Sequence, residues 1–218
     1  MKDSSQYSKK VQKLYRSLKR NLAKQARAQY DEPVEALVYA VVSENMTESQ
    51  AQAAIKKLKD YFVDFNDLRV ASIDEIAEVI GSDVAAGRNI AAALVGSLRS
   101  AFEKYNMLSL QQLKKTGKRP AKQVLEKLAG AAPFVVDYIM LTALQGHAIP
   151  LNSAMIDYLK TNELVHAEAG YEEIEGFLTR QISAKNAYEF YSLLRHQSES
   201  PKSRKTQKTP RKKSKKQK

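Results

Sequence analysis

The sequence contains no cysteine. Disulfides, thiolate metal sites, iron–sulfur clusters and thiol catalysis are therefore excluded by inventory. Its three histidines, His147, His166 and His196, are scattered without metal-ligand spacing and read as surface or capping residues, so neither a metal nor a cofactor is expected. Long apolar runs are missing too. No stretch approaches the roughly 18 apolar residues that a membrane span requires. The N-terminus runs through Lys9, Lys10 and Lys13 without an apolar core, which predicts a soluble, unprocessed and intracellular chain, in cytoplasm or nucleoid or, in a eukaryote, the nucleus. No convincing period-two run of β-branched residues appears either, so no strand is expected.

Acids are scarce at the two ends. Residues 202 to 218 hold ten Lys or Arg and no acid, and residues 1 to 30 hold nine against Asp3 alone. Of the net +12, this leaves −6 for residues 31 to 201. A mildly acidic body between two strongly basic ends suits a polyanion binder with an electrostatic arm better than a solubilising tail, which needs no single sign. Double-stranded DNA is the expected partner, bound by a monomer.

What is present is helical periodicity. With 43% hydrophobic content, 218 residues can bury one sizeable core. Apolar residues recur at helical spacing, as in Leu37, Ala40, Val41 or Leu94, Leu98, Ala101. The pattern predicts an all-α chain with helices near 5–29, 33–45, 48–62, 73–80, 84–105, 109–116, 121–129, 133–145, 153–161, 171–181 and 184–197. Asp31 before Pro33, Ser72 with Glu75, Ser109 with Gln112, and Pro133 supply start signals. From Ser198 onward no apolar residue occurs, so that segment cannot offset its ordering entropy and is expected to be disordered. Three regions are expected: a basic N-terminal helix at 1–30 packed on the domain, a helical domain at 31–197, and a Lys-rich tail at 198–218.

Between Pro120 and Leu159 the pattern is helix, tight turn at Ala129-Gly130-Ala131-Ala132, apolar helix from Pro133, a link at Gly146 to Pro150, and another helix. This resembles the helix-hairpin-helix of the endonuclease III-like DNA glycosylase superfamily. Residues 33 to 47 resemble that family's P-F-E-L-L…L-S-x-Q-x-T helix without a gap, with Pro33, Glu35, Leu37, Ser43 and Thr47 coinciding. Gly81 and Asn89-Ile90 fall where the family has a glycine and a short N-I pair before a long helix. The resemblance covers about residues 31 to 197 and implies a two-lobed helical fold that binds duplex DNA.

The chemistry of such a hairpin follows from its backbone. N–H groups at a tight turn and a helix N-terminus bind a phosphate oxygen, given small residues for close approach. Gly130 keeps that capacity, Ala131 and Ala132 replace the family's V-G pair, and Pro133 removes one donor, so a weaker phosphate clamp is expected. Lys114, Lys115, Lys118, Arg119, Lys122 and Lys127 cluster upstream against the single acid Glu126 and are expected to reach flanking phosphates, as are Lys212 and Lys213 of the tail. Asn45 lies in the segment that resembles the family's DNA-inserting loop.

The catalytic positions depart from the resemblance. The lysine nucleophile of bifunctional members aligns with Phe134, and the catalytic aspartate aligns with Asn152. Phenylalanine cannot attack a sugar, and asparagine can neither activate water nor stabilise an oxocarbenium-like sugar. Asn and Asp are nonetheless comparable helix N-caps. The expected protein is thus a DNA binder lacking glycosylase and lyase chemistry. Two alternatives stand beside it: an active base-excision glycosylase using Glu44, Asp137 or Asp157 as surrogate carboxylate, and a helical interaction module whose tail binds RNA or an acidic partner.

Overall fold

The computed structural model describes residues 4–23, 26–81 and 84–200. Of the tail expected to be disordered from Ser198 onward, Ser198 and Glu199 instead continue the last helix, where Glu199 bonds Arg195 at 2.9 Å, and residues 201–218, with Lys212 and Lys213, lie outside the described residues. Among those described there are twelve helices and no strand: α1 Ser4–Asn21, α2 Pro33–Ser43, α3 Glu48–Tyr61, α4 Phe65–Val70, α5 Ile73–Ile80, α6 Val84–Tyr105, α7 Gln112–Lys115, α8 Lys118–Leu125, α9 Pro133–Thr142, α10 Ser153–Thr161, α11 Tyr171–Gln181 and α12 Ala184–Glu199. None of them is long and apolar enough to cross a membrane. No group of three or more His, Cys, Asp or Glu among the described residues is placed to hold a metal ion.

Two helices are apolar nearly all round and form the centre, as that pattern requires. Every residue of α9 from Phe134 to Thr142 is buried, and α2 buries Val34, Ala36, Leu37, Val38, Ala40, Val41 and Val42. They pack on each other. Around α2 gather α3, α4, α5 and α6; around α9 gather α8 and α12, with α10, α11 and α1 joined through α12 and each other. The result is two groups of helices that meet along the α2–α9 contact, each too small to enclose a core of its own.

Local chemistry explains most boundaries. Thr47 and Gln50 form a reciprocal capping box at α3, and Ser72 accepts the Glu75 N–H at α5, whose end Gly81 turns at φ +66°. Three boundaries differ from the sequence pattern, each through a tertiary contact. The first helix ends at Asn21 instead of continuing to 29, because residues 26–30 are held extended: the Ala28 N–H donates to the Tyr188 hydroxyl, and Arg27 donates to the Leu141 carbonyl at 2.9 Å. The Ser109–Gln112 capping box does not form, since the Ser109 hydroxyl donates to Glu32 at 3.0 Å and α7 starts at Gln112. That same Glu32, not Asp31, stands at the N-cap of α2. Helix α4 has no counterpart in the periodicity: six residues are too few for a pattern, although Asp64 caps it through the N–H groups of Asn66 and Asp67.

Candidate nucleic-acid interface

Helices α8 and α9 form a hairpin. Its turn is tightened by the Ala131 N–H, which donates to the Leu128 carbonyl at 3.1 Å. Gly130 sits at φ +74°, and a Cβ there would stand 2.9 Å from the Ala93 carbonyl oxygen and 3.0 Å from its Cα. Both the left-handed backbone and the close approach to α6 therefore require glycine. At Gly96 of α6 a Cβ would meet the Ala129 carbonyl oxygen at 3.6 Å, an ordinary contact, so the close approach rests on Gly130 alone.

At the start of α9, Ala132 is the N-cap and offers no side-chain acceptor, while Gly130 and Pro133 are exposed and Ala131 and Ala132 half-buried. The first N–H groups of a helix have no intrahelical partner and carry the positive end of its dipole. Pro133 has none to offer, the Val136 N–H bonds the Ala132 carbonyl at 3.1 Å, and Phe134 and Val135, which carry the other two, are 1% and 0% exposed.

Phe134 and Asn152, the two positions expected from the sequence resemblance to align with catalytic residues, face inward. Phe134 is 1% exposed and stacks on Tyr138 with ring centroids 6.1 Å apart, and the Arg195 guanidinium lies 5.8 Å from its ring. Asn152 is 4% exposed and its Oδ1 accepts the Met155 N–H at 3.0 Å, capping α10. Packing and capping are the roles the two side chains play.

The six upstream cations do not form one face. Lys118 donates to the Leu144 carbonyl and Lys114 to the Asp31 carbonyl at 2.5 Å, beside Arg27 on Leu141. The Leu141 and Leu144 carbonyls lie at the C-terminal end of α9, about 15 Å along a ten-residue helix from its start, and the Asp31 carbonyl lies in the segment before α2. Lys118 and Arg27 thus satisfy carbonyls left over by α9 and offset its negative end. Lys122 pairs with Asp137 at 3.0 Å. Lys115, Arg119 and Lys127 are exposed, and Lys127 directly precedes the turn.

Of the three surrogate carboxylates, Asp137 is 2% exposed and doubly held, by Lys122 and by the Tyr171 hydroxyl, which donates at 2.8 Å. Burial raises its pKa, and the Lys122 ammonium draws it back only in part. It lines a cavity of about 400 Å³ together with Glu126, Glu175 and, from the hairpin turn, Ala131 and Pro133. Asp157 is exposed on α10. Glu44 is half-buried at the end of α2, and burial raises its pKa. Its neighbour Asn45 is exposed on the loop between α2 and α3.

A second, larger cavity of about 750 Å³ is walled by Tyr30, Tyr39, Tyr138, Tyr188 and Tyr191 and floored by Arg195 and Glu48. The tyrosines form a continuous cluster: Tyr39 stacks on Tyr138 at 5.3 Å, and the hydroxyls of Tyr30 and Tyr138 are 2.8 Å apart. Burial pushes the Tyr30 hydroxyl up to about 12 and that of Tyr138 further, so all remain neutral donors. Arg195, 2% exposed, donates to the carbonyls of Ser43 at 2.9 Å and Met46 at 3.1 Å, and pairs with Glu199 at 2.9 Å and Glu48 at 3.2 Å. The Glu199 carboxylate in turn accepts the Glu48 N–H at 2.9 Å. The loop that carries Asn45 is thereby clamped on both flanks to α12. Sequence reasoning missed Arg195, Glu48 and Glu199; their one local trace is the i,i+4 spacing of Tyr191, Arg195 and Glu199 on an otherwise apolar helix face.

No protein-family model and no curated protein matches the sequence. Solved structures do match. A non-covalent endonuclease III–DNA complex aligns with a TM-score of 0.67 at 17% identity, covering 89% of this chain and 85% of that one. A thermostable thymine-DNA glycosylase aligns at 0.65 and 13% identity, covering 90% and 89%. The 3-methyladenine DNA glycosylase MagIII of H. pylori, bound to 1,N6-ethenoadenine, aligns at 0.64 and 17% identity, covering 88% and 95%. With its helical hairpin, buried α9 and two helix groups, the chain has the fold of the endonuclease III-like helix-hairpin-helix DNA glycosylases.

Proposed function

We propose that the protein is a monomeric intracellular DNA-binding protein that holds duplex or distorted DNA without cleaving its glycosidic bonds. The observation that carries this reading is the opposite treatment of the hairpin and the aligned catalytic positions: the start of α9 has no side-chain cap and follows an exposed Gly130, whereas Phe134 and Asn152 are engaged in packing and capping. Backbone N–H groups at such a start hold a phosphate and set register. The exposed Asn45, on a loop fixed by Arg195, supplies the second point of contact. Without an amine at 134 or a carboxylate at 152 there is no nucleophile or anion at the sugar. The test is incubation with lesion-bearing duplexes under borohydride. Retention of the duplex with no base release and no trapped Schiff-base adduct is expected; a trapped adduct overturns the reading.

One observation favours a second reading, an active glycosylase with a substituted carboxylate. Glu48 faces the tyrosine-walled cavity, beside Arg195 and bonded to the Tyr39 hydroxyl at 2.5 Å. Base release that disappears in Glu48→Gln establishes that reading in place of the first.

A further inference from the structure

We propose that the outer face of α1 is a second binding surface for the phosphate backbone of duplex DNA, separate from the hairpin. Helix α1 buries Val11, Tyr15 and Leu18 against the domain. At 100° per residue, Lys9, Lys13, Arg16 and Arg20 fall within an arc of about 60° directly opposite that buried face. All four are exposed, and among the described residues none pairs with an acid. The two flanking lysines are different: Lys10 pairs with Glu163 at 3.5 Å and Lys19 with Glu189 at 2.9 Å. Acids of the body thus neutralise the edges of the helix and leave its crest bare. The stripe spans eleven residues, about 16 Å, in steps of four, three and four. Against an axial rise of about 3.4 Å per phosphate on one strand, that length faces roughly five phosphates.

Its position makes it a distinct surface. Helix α11 separates it from the hairpin: Tyr171 at the start of α11 bonds Asp137 of α9, while Gln181 at its end accepts from Ser8 and Gln12 of α1, at 2.5 and 2.7 Å. Eleven residues of helix, about 16 Å, lie between them. The apolar face of α1 is already covered, so the stripe has charge and no hydrophobic area to offer, which suits a polyanion and not a bilayer. Duplex DNA is chosen among polyanions because the inference rests on the proposed reading of the hairpin.

The experiment compares the full chain with a variant carrying Lys9→Gln, Lys13→Gln, Arg16→Gln and Arg20→Gln, in a salt titration on a short duplex. Because each phosphate contact contributes about 0.9 to the slope of log K against log salt, the slope is expected to fall by about 3 to 4. The missing cysteine allows a second arm: Lys13→Cys places the one thiol of the chain in the stripe, and a photo-crosslinker there is expected to capture duplex. An unchanged slope, no crosslink, or preferential capture of structured RNA overturns the inference. If instead the stripe behaves as expected while Gly130→Val leaves affinity and slope untouched, the hairpin reading fails and the α1 surface stands. A wild-type chain that does not bind duplex overturns both.

Discussion

Three helices of this fold start at or beside the residues on which the proposed reading rests, and they are treated differently. Helix α10 begins under Asn152, buried and bonded to the Met155 N–H; α3 begins under the Thr47–Gln50 capping box, with the Glu48 N–H taken by Glu199. Helix α9 begins under Ala132, with no side-chain acceptor at all. Helices α7, α8, α11 and α12 likewise begin without a side-chain cap hydrogen bond, so what sets α9 apart is that its uncapped start follows the tight turn at Gly130. That combination is where the proposed reading places an external anion.

The largest effect comes from breaking the clamp behind α3. Arg195→Met removes one partner of a buried ion pair, and a loss of about 3–5 kcal/mol in stability is expected, measured by urea unfolding. Arg195→Lys keeps the charge but cannot reach both loop carbonyls and both carboxylates with its single head group, so part of the loss remains. Next is Gly130→Val, which forces the turn away from α6. The left-handed backbone alone costs about 1–2 kcal/mol, and the Cβ meets Ala93. Duplex affinity, measured where the variant is still folded, is expected to drop by roughly tenfold, the scale of one lost charge-assisted contact.

Asn152 sharpens the comparison from the other side. Asn152→Ala removes a cap that faces the interior, so stability falls by about 1 kcal/mol while duplex affinity stays unchanged; Asn152→Asp is an equivalent cap and restores stability. The smallest effect belongs to Glu44. Burial raises its folded-state pKa above 4.5, so its contribution to stability is complete below about pH 4.5 and is lost as pH rises through the folded value. Glu44→Gln is therefore more stable than wild type at neutral pH, and urea melts at neutral and acidic pH show the gap closing on acidification.

These contrasts also mark what the sequence made legible. Helices α2, α3, α5, α6 and α9 to α12 are visible as apolar periodicity with start signals, since each buries a face long enough to leave a pattern. The hairpin turn is visible because Gly130 is required twice over, by φ and by Ala93. The cap role of Asn152 is legible because asparagine is a favoured N-cap ahead of a helix. The cation cluster is not: six neighbours in sequence part company once Lys114 turns to the Asp31 carbonyl ahead of α2 and Lys118 to the Leu144 carbonyl beyond α9. Arg195 is invisible for the same reason, because its partners lie about 150 residues away and are mostly backbone carbonyls and carboxylates with no sequence mark. Local pattern reports which face is apolar; it does not report which polar atom a long side chain finds.

The central claim concerns the backbone N–H groups that open α9. Its most direct test is a duplex titration of uniformly 15N-labelled full-length protein, following the amide resonances of Gly130, Ala132, Phe134 and Val135 against those of Met155 and Gln50. The account predicts large, saturable shifts at the α9 start and negligible ones at the two capped starts. Shifts of equal size at all three, or none at residues 130–135 while the duplex binds, would contradict it.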